Sequence, residues 1–236
     1  MHYNPMFYYF DSTYMLVLIG AILSIWASAR VKSTYHKYSR VRNAAGMTGA
    51  EAAEKILRAS GIYDVRIEQV AGNLTDHYDS KSKTLRLSGS VYADTSVAAV
   101  GVAAHECGHA MQDNQDYLPL KVRAALVPAA NIGSRLGIPI ILLGLILGSS
   151  TTLITIGIWV FSLAVLFQVV TLPVEFNASR RALTILEQTG TLGTTEIQGA
   201  GKVLRAAALT YVAAAAASIL QLLRLVLLFG GGRKRD

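Results

Sequence analysis

The sequence has little charge and almost no cysteine. Charged residues make up 16% of its 236 residues, whereas a soluble domain carries about 25%. The single cysteine, Cys107, rules out an intramolecular disulfide, so nothing implies folding in an oxidising compartment. Hydrophobic residues make up 52% of the chain, and its mean hydropathy is +0.39. This balance excludes a disordered chain and favours a membrane protein.

Three stretches contain no charged residue: 12–29, 136–174 and 206–223, which are 18, 39 and 18 residues long. A helix needs about 20 apolar residues to cross a bilayer. The middle stretch is too long for one crossing, and turn-forming residues cluster inside it at 148–152. We therefore predict a transmembrane hairpin over 126–172, whose first helix includes Arg135 with its side chain reaching the headgroups. The alternatives are a first segment that enters the bilayer only partly, and an interior or functional role for Arg135.

The distribution of positive charge predicts how the chain is oriented. The net charge is +7, but the basic residues flank apolar segments, as topology signals do, so we expect no nucleic-acid partner. A first transmembrane helix over 8–29 is followed by five basic residues between positions 30 and 42, which predicts that its carboxyl end faces the cytoplasm. A cleaved signal peptide is the alternative, because 27–29 resembles a cleavage site, yet no Lys or Arg precedes the apolar segment.

The two ends of the chain add further expectations about the membrane. The tyrosines and phenylalanines from Tyr3 to Tyr14 are typical of an aromatic belt at the interface. The last apolar segment, 206–229, is either a fourth crossing or an interfacial or re-entrant helix. A full crossing would place the basic tail, 230–236, outside the cell, against the charge rule. The chain is thus expected to have three or four membrane segments.

Most of the charge lies in residues 30–122, which we predict to be a small cytoplasmic α+β domain. Thr48-Gly49-Ala50-Glu51 is a capping box that predicts a helix to about Ala59. Alternating apolar and polar residues predict strands at 65–70 and 84–88, and the second is expected to be an edge strand able to pair with an extended substrate. Asp94-Thr95-Ser96 caps a helix from 97 to about 112, rich in small apolar residues on every face and therefore expected to be buried.

This last helix carries the segment His105-Glu106-Cys107-Gly108-His109. Residues i and i+4 share a helix face, so both histidines can bind one cation while Glu106 lies beside it. Burying three unpaired ionisable groups would otherwise be costly. The pattern therefore predicts a zinc site with Glu106 as general base. Cys107 lies about 200° around the helix from His105, so we expect it to pack in the core instead of binding metal.

A catalytic zinc site needs a third protein ligand, and no histidine follows the motif. Asp113 and Asp116 lie too close to His109 in sequence to fold back onto the same ion. A carboxylate further along the chain is therefore the expected ligand, and the downstream acids are Glu175, Glu187 and Glu196.

Glu175 is favoured by its position. It follows Pro173, where the return helix of the hairpin is expected to end, and it begins a segment that can form a new helix over 175–186. A cytoplasmic segment, 173–205, is then expected to carry the third ligand. Both halves of the site must lie on one side of the bilayer, so the chain between His109 and Glu175 must cross an even number of times, as a hairpin does.

The strings Ala-Ala-His-Glu-Cys-Gly-His-Ala at 103–110 and Pro-Val-Glu-Phe-Asn-Ala-Ser-Arg-Arg-Ala at 173–182 resemble the YugP-like family of bacterial neutral zinc metallopeptidases over almost the whole chain. More distantly, they are similar to membrane gluzincins of the HtpX and CAAX-prenyl-protease type. The resemblance implies that Glu175 is the third zinc ligand. Those relatives have Asp four residues after this Glu, where this chain has Ser179, so Asn177 or Ser179 is expected to supply a weaker hydrogen bond that orients a ligand histidine.

These features predict an integral-membrane zinc endopeptidase of the bacterial plasma membrane, with its catalytic side in the cytoplasm. It would hydrolyse membrane or misfolded proteins by activating a water molecule. The alternative is a non-catalytic membrane scaffold that keeps a metal-binding, protease-like fold. Candidates for an oxyanion donor or for a second layer around the metal are His77, Asn177, Ser179, Arg180, Arg181 and Tyr211.

Overall fold

The computed structural model describes residues 11–230. Residues 8–10 of the first predicted helix, most of the proposed aromatic belt and the tail residues 231–236 lie outside this range. In chain order the elements are α1 (Tyr14–Tyr38), α2 (Gly49–Ala59), β1 (Arg66–Val70), β2 (His77–Asp79), β3 (Thr84–Ser88), α3 (Gly89–Tyr92), α4 (Val97–Asn114), α5 (Leu118–Ile146), α6 (Thr151–Gln188) and α7 (Thr194–Phe229).

The described residues divide into two compact units. The mixed unit consists of 27–122 and 171–210, and the helical unit consists of the other described residues. Four helices, α1, α5, α6 and α7, are long and apolar enough to cross a membrane. The predicted fold class, an α-helical membrane protein with a small α+β domain, is confirmed.

Small residues hold the helices of the helical unit close together. A Cβ atom at Gly133 would lie 2.6 Å from the carbonyl oxygen of Val160, and one at Gly137 would lie 2.7 Å from the Cβ of Phe161. These two glycines are four residues apart on α5, so they form one small-residue face against α6. The α5–α6 connection lies at 147–150, next to the turn expected at 148–152. However, α5 begins at Leu118, earlier than the predicted start near 126.

In the helical unit, α1 and α7 lie antiparallel. A Cβ at Gly20 would be 3.0 Å from the Cα of Ala217, and the guanidinium of Arg224 lies 4.1 Å from the ring centroid of Tyr14. Position numbers therefore fall along α1 as they rise along α7. Helices in lipid associate through close backbone packing, because lipid tails are as apolar as the side chains of a neighbouring helix. The close approach at Gly20 is a contact of this kind.

The mixed unit contains a three-stranded sheet in the order β1-β3-β2. Strand β3 pairs in parallel with β1 and antiparallel with β2. The expectation that 84–88 forms an edge strand is therefore wrong, because β3 is central and has no free edge for a substrate. The alternation of apolar and polar residues indicates which side chains of a strand face the core. It does not indicate whether the strand is central or at an edge of the sheet.

Helices α2 and α4 pack against each other beside this sheet. The capping box is confirmed: Thr48 accepts from the backbone of Glu51, and the Glu51 side chain accepts from the backbone of Thr48. Ser96 caps α4 through the backbone N–H of Ala99. Most of α4 is buried, as expected from its small apolar residues, and it forms the centre of the core.

Helix α6 continues through Pro173, so the prediction that one helix ends there and another begins at Glu175 is wrong. Proline removes one hydrogen bond from a helix, and neighbouring groups in a packed membrane helix can compensate for this loss. The predicted segment 173–205 therefore consists of the end of α6, a short connection, and the start of α7.

Candidate metal centre

Helix α4 carries three of the predicted site residues. His105 and His109 lie one turn apart on the same face, with ring centroids 4.8 Å apart and an interplanar angle of 83°. Their side chains are 14% and 11% exposed. Glu106 is also buried. The one-turn spacing therefore places two imidazoles and a carboxyl group of α4 in a largely dry environment.

Helix α6 brings Glu175 to these histidines. Oε2 of Glu175 lies 3.2 Å from Nε2 of His105 and 3.6 Å from Nε2 of His109. The donor atoms of the three residues lie within 4.8 Å of one another. Two imidazole nitrogens and one carboxylate oxygen form a ligand set typical of catalytic zinc.

A glycine allows the two helices to come this close. A Cβ at Gly108 would lie 2.5 Å from the carbonyl oxygen of Ala178 and 3.0 Å from its carbonyl carbon. Ala178 lies on α6 three residues after Glu175. The absence of a side chain at position 108 therefore lets the backbone of α6 approach α4, and this approach sets how far Glu175 must reach.

The other acids considered for the third ligand have different surroundings. Glu187 is exposed. The Glu196 carboxylate accepts from the backbone N–H groups of Ala44 and Gly193. Asp113 accepts from the Tyr78 hydroxyl, and Asp116 pairs with Lys121.

Hydrogen bonds on the far side of each imidazole fix its orientation. The Oγ atom of Ser179 lies 3.1 Å from Nδ1 of His105. Nδ1 of His109 lies 3.0 Å from Oε1 of Gln112. Gln112 in turn donates through Nε2 to Val174 O at 2.8 Å and to the Asn177 Oδ1 at 2.9 Å. Ser179 thus contacts a ligand histidine directly, whereas Asn177 is linked to His109 through Gln112.

The electrostatics of the cluster favour positive charge. Burial alone would lower the pKa of His109, but its hydrogen bond to Glu175 and the charges of Glu106 and Glu175 outweigh burial and raise the pKa. Burial raises the pKa of the Cys107 thiol, and its Sγ lies 3.7 Å from the Ala53 carbonyl oxygen, within the core. Cys107 is therefore packed, as expected, and the cluster formed by His105, His109 and Glu175 suits a cation.

The contacts that the structure describes for three other candidates, His77, Arg180 and Arg181, do not reach the cluster of His105, His109 and Glu175. His77 is exposed, with Nδ1 2.9 Å from the Thr75 carbonyl oxygen. Arg180 is exposed. Arg181 donates through Nε to Asn177 and through Nη1 to Gln115. Tyr211 belongs to the helical unit. An oxyanion donor among these residues stays a prediction.

Sequence reasoning missed Gln112 and Gly108. Gln112 lies on the buried helix that carries the two histidines. A signal for it was present: a polar amide one turn after His109 on a buried helix requires buried partners. Gly108 gave no signal in the sequence, because its importance depends on which element packs against it.

Comparisons with known proteins agree with this arrangement. A family model described as "Putative neutral zinc metallopeptidase" matches residues 13–230. The chain is 48% identical over 224 residues to a protein of Bacillus subtilis (strain 168) named "Putative membrane protease YugP", covering 94% of this chain and 99% of that protein. No solved structure matches.

Proposed function

The chain belongs to this neutral zinc metallopeptidase family, and from that premise we propose that it is a zinc-dependent endopeptidase of the bacterial plasma membrane with its active site on the cytoplasmic side. The observation that carries the proposal is the position of the Glu175 carboxylate, buried within 3.6 Å of both imidazole Nε2 atoms. A carboxylate and two imidazoles converging in a buried site are the donors that hold catalytic zinc and leave one position open.

The residues of the chain divide the chemistry among them. His105, His109 and Glu175 would hold the ion, which when bound supplies the Lewis acidity that activates water and polarises a carbonyl group. Glu106 directly follows the first histidine on α4, and its carboxylate would act as the general base that takes the proton of the attacking water. The same carboxyl group then returns the proton to the leaving amine. The low exposure of these groups keeps bulk water from competing and strengthens their interactions.

Strand β2 is the element best suited to align a substrate. It lies at an edge of the sheet, pairing with β3 on one side, and Tyr78 ties it to α4 through a 2.9 Å hydrogen bond from its hydroxyl to Asp113. An extended peptide could add to this edge through main-chain hydrogen bonds. Such pairing selects extended, unfolded segments, which supports misfolded or membrane proteins as the substrates.

Three variants of the detergent-purified protein test the proposal. The wild type should bind about one zinc per chain and hydrolyse an unfolded protein substrate. Glu106→Gln should keep the zinc but lose hydrolysis by at least about 100-fold, because it lacks the proton acceptor. Glu175→Ala should lose both. Glu187→Ala is the matched control: it removes an exposed acid from the same helix and should change neither.

Bound zinc without turnover of any unfolded or membrane substrate would contradict the enzymatic proposal. It would instead favour the non-catalytic scaffold. Full zinc content and activity in Glu175→Ala would reject the assigned ligand set.

A further inference from the structure

Gln112 lies within α4 and is fully buried, with 0% exposure. The hydrogen bonds that the structure describes for its side chain reach the metal cluster or the segment of α6 around Glu175: Oε1 contacts His109, and Nε2 contacts Val174 O and Asn177 Oδ1. A buried primary amide is costly unless its polar atoms are satisfied. These three contacts satisfy the polar atoms of the amide. Its partners then decide which way the amide oxygen and nitrogen point.

The partners of Gln112 allow only one orientation of its amide. The Val174 carbonyl oxygen can only accept, so the group facing it must be the amide nitrogen. Asn177 gives a second, independent constraint. Its Oδ1 accepts from Nε of Arg181 at 2.6 Å, and because arginine can only donate, this atom is an oxygen and also needs a donor from Gln112.

The orientation of the amide then fixes the proton on His109. With Nε2 of Gln112 directed at α6, its Oε1 faces Nδ1 of His109 at 3.0 Å. An oxygen acceptor requires that this Nδ1 carry the hydrogen. In the neutral imidazole the lone pair is then on Nε2, the atom 3.6 Å from the Glu175 carboxylate. A lone pair facing a carboxylate is repulsive unless a metal ion or a proton on Nε2 lies between them.

We propose that Gln112 is a positioning residue that holds His109 in the Nδ1-protonated tautomer, so that Nε2 is available to zinc, using a neutral amide anchored by Val174 and Asn177. This inference rests on the proposed function. The neutral amide suits a fully buried position, where a carboxylate would add a desolvated negative charge facing the Val174 carbonyl oxygen and the Asn177 Oδ1. Because the amide is bonded to both α4 and α6, it also links the histidine's orientation to the helix that carries the third ligand.

The test compares two substitutions that remove the same donor but differ in the acceptor. Gln112→Met keeps the volume and removes both functions. Gln112→Glu keeps an oxygen that accepts from His109 Nδ1 but lacks the amide N–H groups that bind Val174 O and Asn177. The control is Gln198→Met, the same substitution at an exposed position of α7. For each variant, zinc affinity is measured by chelator competition, and thermal unfolding is measured on the metal-free protein.

We expect Gln112→Met to weaken zinc binding about 10- to 100-fold, the usual effect of losing a partner behind a ligand histidine. Gln112→Glu should bind zinc at least about 10-fold more tightly than Gln112→Met, even if both unfold at the same lowered temperature. Gln198→Met should match the wild type in both measurements. The proposal is overturned if Gln112→Met binds zinc as tightly as the wild type. It is equally overturned if Gln112→Glu binds as weakly as Gln112→Met, because the amide would then act only as a brace between helices.

A spectroscopic measurement on the unaltered protein covers the case in which the variants do not fold. In alkaline buffer without metal, the ¹⁵N resonances of His109, identified by their loss in His109→Gln, should report a hydrogen on Nδ1. A hydrogen on Nε2 would overturn the proposal. Failure of the wild type to bind zinc would instead reject the proposed function, so the two failures are distinguishable.

Discussion

At the scale of single residues, the two ligand histidines differ in what lies behind them. His109 is backed by a buried amide, whereas His105 is backed by the hydroxyl of Ser179 on α6. A hydroxyl is a weaker acceptor than a carboxylate and adds no negative charge to the site. Position 179 is therefore a place where the binding of the metal can be adjusted without altering its ligands.

Two substitutions at Ser179 should differ in their effect on zinc affinity. Ser179→Ala removes the acceptor for His105 Nδ1 and should weaken zinc binding about 10-fold, the lower end of the range for such partners, because a neutral bond is lost at a partly buried position. Ser179→Asp supplies a charged acceptor and should bind zinc at least as tightly as the wild type. Chelator competition measures both. Equal affinities for Ser179→Ala and the wild type would show that His105 is oriented by its packing alone.

The residues of the cluster were predictable because the two histidines are one helical turn apart and because few acids follow them in the sequence. His105 and His109 follow from the helical period, whereas Glu175 was only favoured among the later glutamates by its place after an apolar hairpin, and its role as a ligand was implied by the family resemblance. Gln112 and Gly108 required knowledge of which part of α6 faces α4. This information comes from tertiary packing, and no periodic pattern in a single sequence reveals it.

At the scale of elements, the site depends on the contact between α4 and α6. We expect Gly108→Ala to disturb it, because the new Cβ would lie 2.5 Å from a backbone oxygen of α6. Overpacking should outweigh the gain in helix propensity and destabilise the protein by about 1–2 kcal/mol. Zinc affinity should fall as well, since Glu175 is displaced with the backbone. Thermal unfolding and chelator competition measure the two effects.

Gly89→Ala is the control for this prediction. Its Cβ would lie 3.2 Å from Nε2 of the Gln69 side chain, which can move aside. It should therefore leave both stability and zinc affinity close to those of the wild type. Unchanged zinc binding in Gly108→Ala would show that the site tolerates separation of the two helices.

The elements themselves were predictable to different degrees. The capping box of α2 and the Ser96 cap of α4 located these two helices well, because both satisfy backbone groups within one turn. The order of the strands was not predictable. Strand β3 pairs with β1 on one side and with β2 on the other, and the loops between these strands differ in length. The continuity of α6 was also missed, because Pro173 is a helix breaker in isolation but is tolerated inside a packed helix.

At the scale of the whole molecule, the helices imply a membrane topology. Glu175 lies 24 residues after Thr151, the first residue of α6, which is about 36 Å along a helix and enough to cross a bilayer. The α5–α6 connection is therefore expected on the side opposite the metal site. The antiparallel contact of α1 and α7 favours a full crossing by α7, which would end on that same opposite side despite the basic residues that follow.

Cysteine labelling of intact cells tests this topology. Cys107 is buried, and burial raises its thiol pKa, so the wild type should react little with a membrane-impermeant maleimide. Ser149→Cys and Gly230→Cys should be labelled from outside. Ser80→Cys, at an exposed position of the mixed unit, should react only after lysis. Labelling of Ser80→Cys and Ser149→Cys from the same side would contradict a hairpin whose two helices both cross the bilayer between His109 and Glu175.

The central claim is that a carboxylate from α6 completes a zinc site begun by two histidines of α4. Zinc X-ray absorption spectroscopy of the purified, zinc-loaded protein tests it most directly. The spectrum should contain two imidazole nitrogens at about 2.0–2.1 Å together with oxygen ligands, and Glu175→Ala should bind too little zinc to give this spectrum. A sulfur ligand at about 2.3 Å, or an unaltered spectrum from zinc-loaded Glu175→Ala, would contradict the claim.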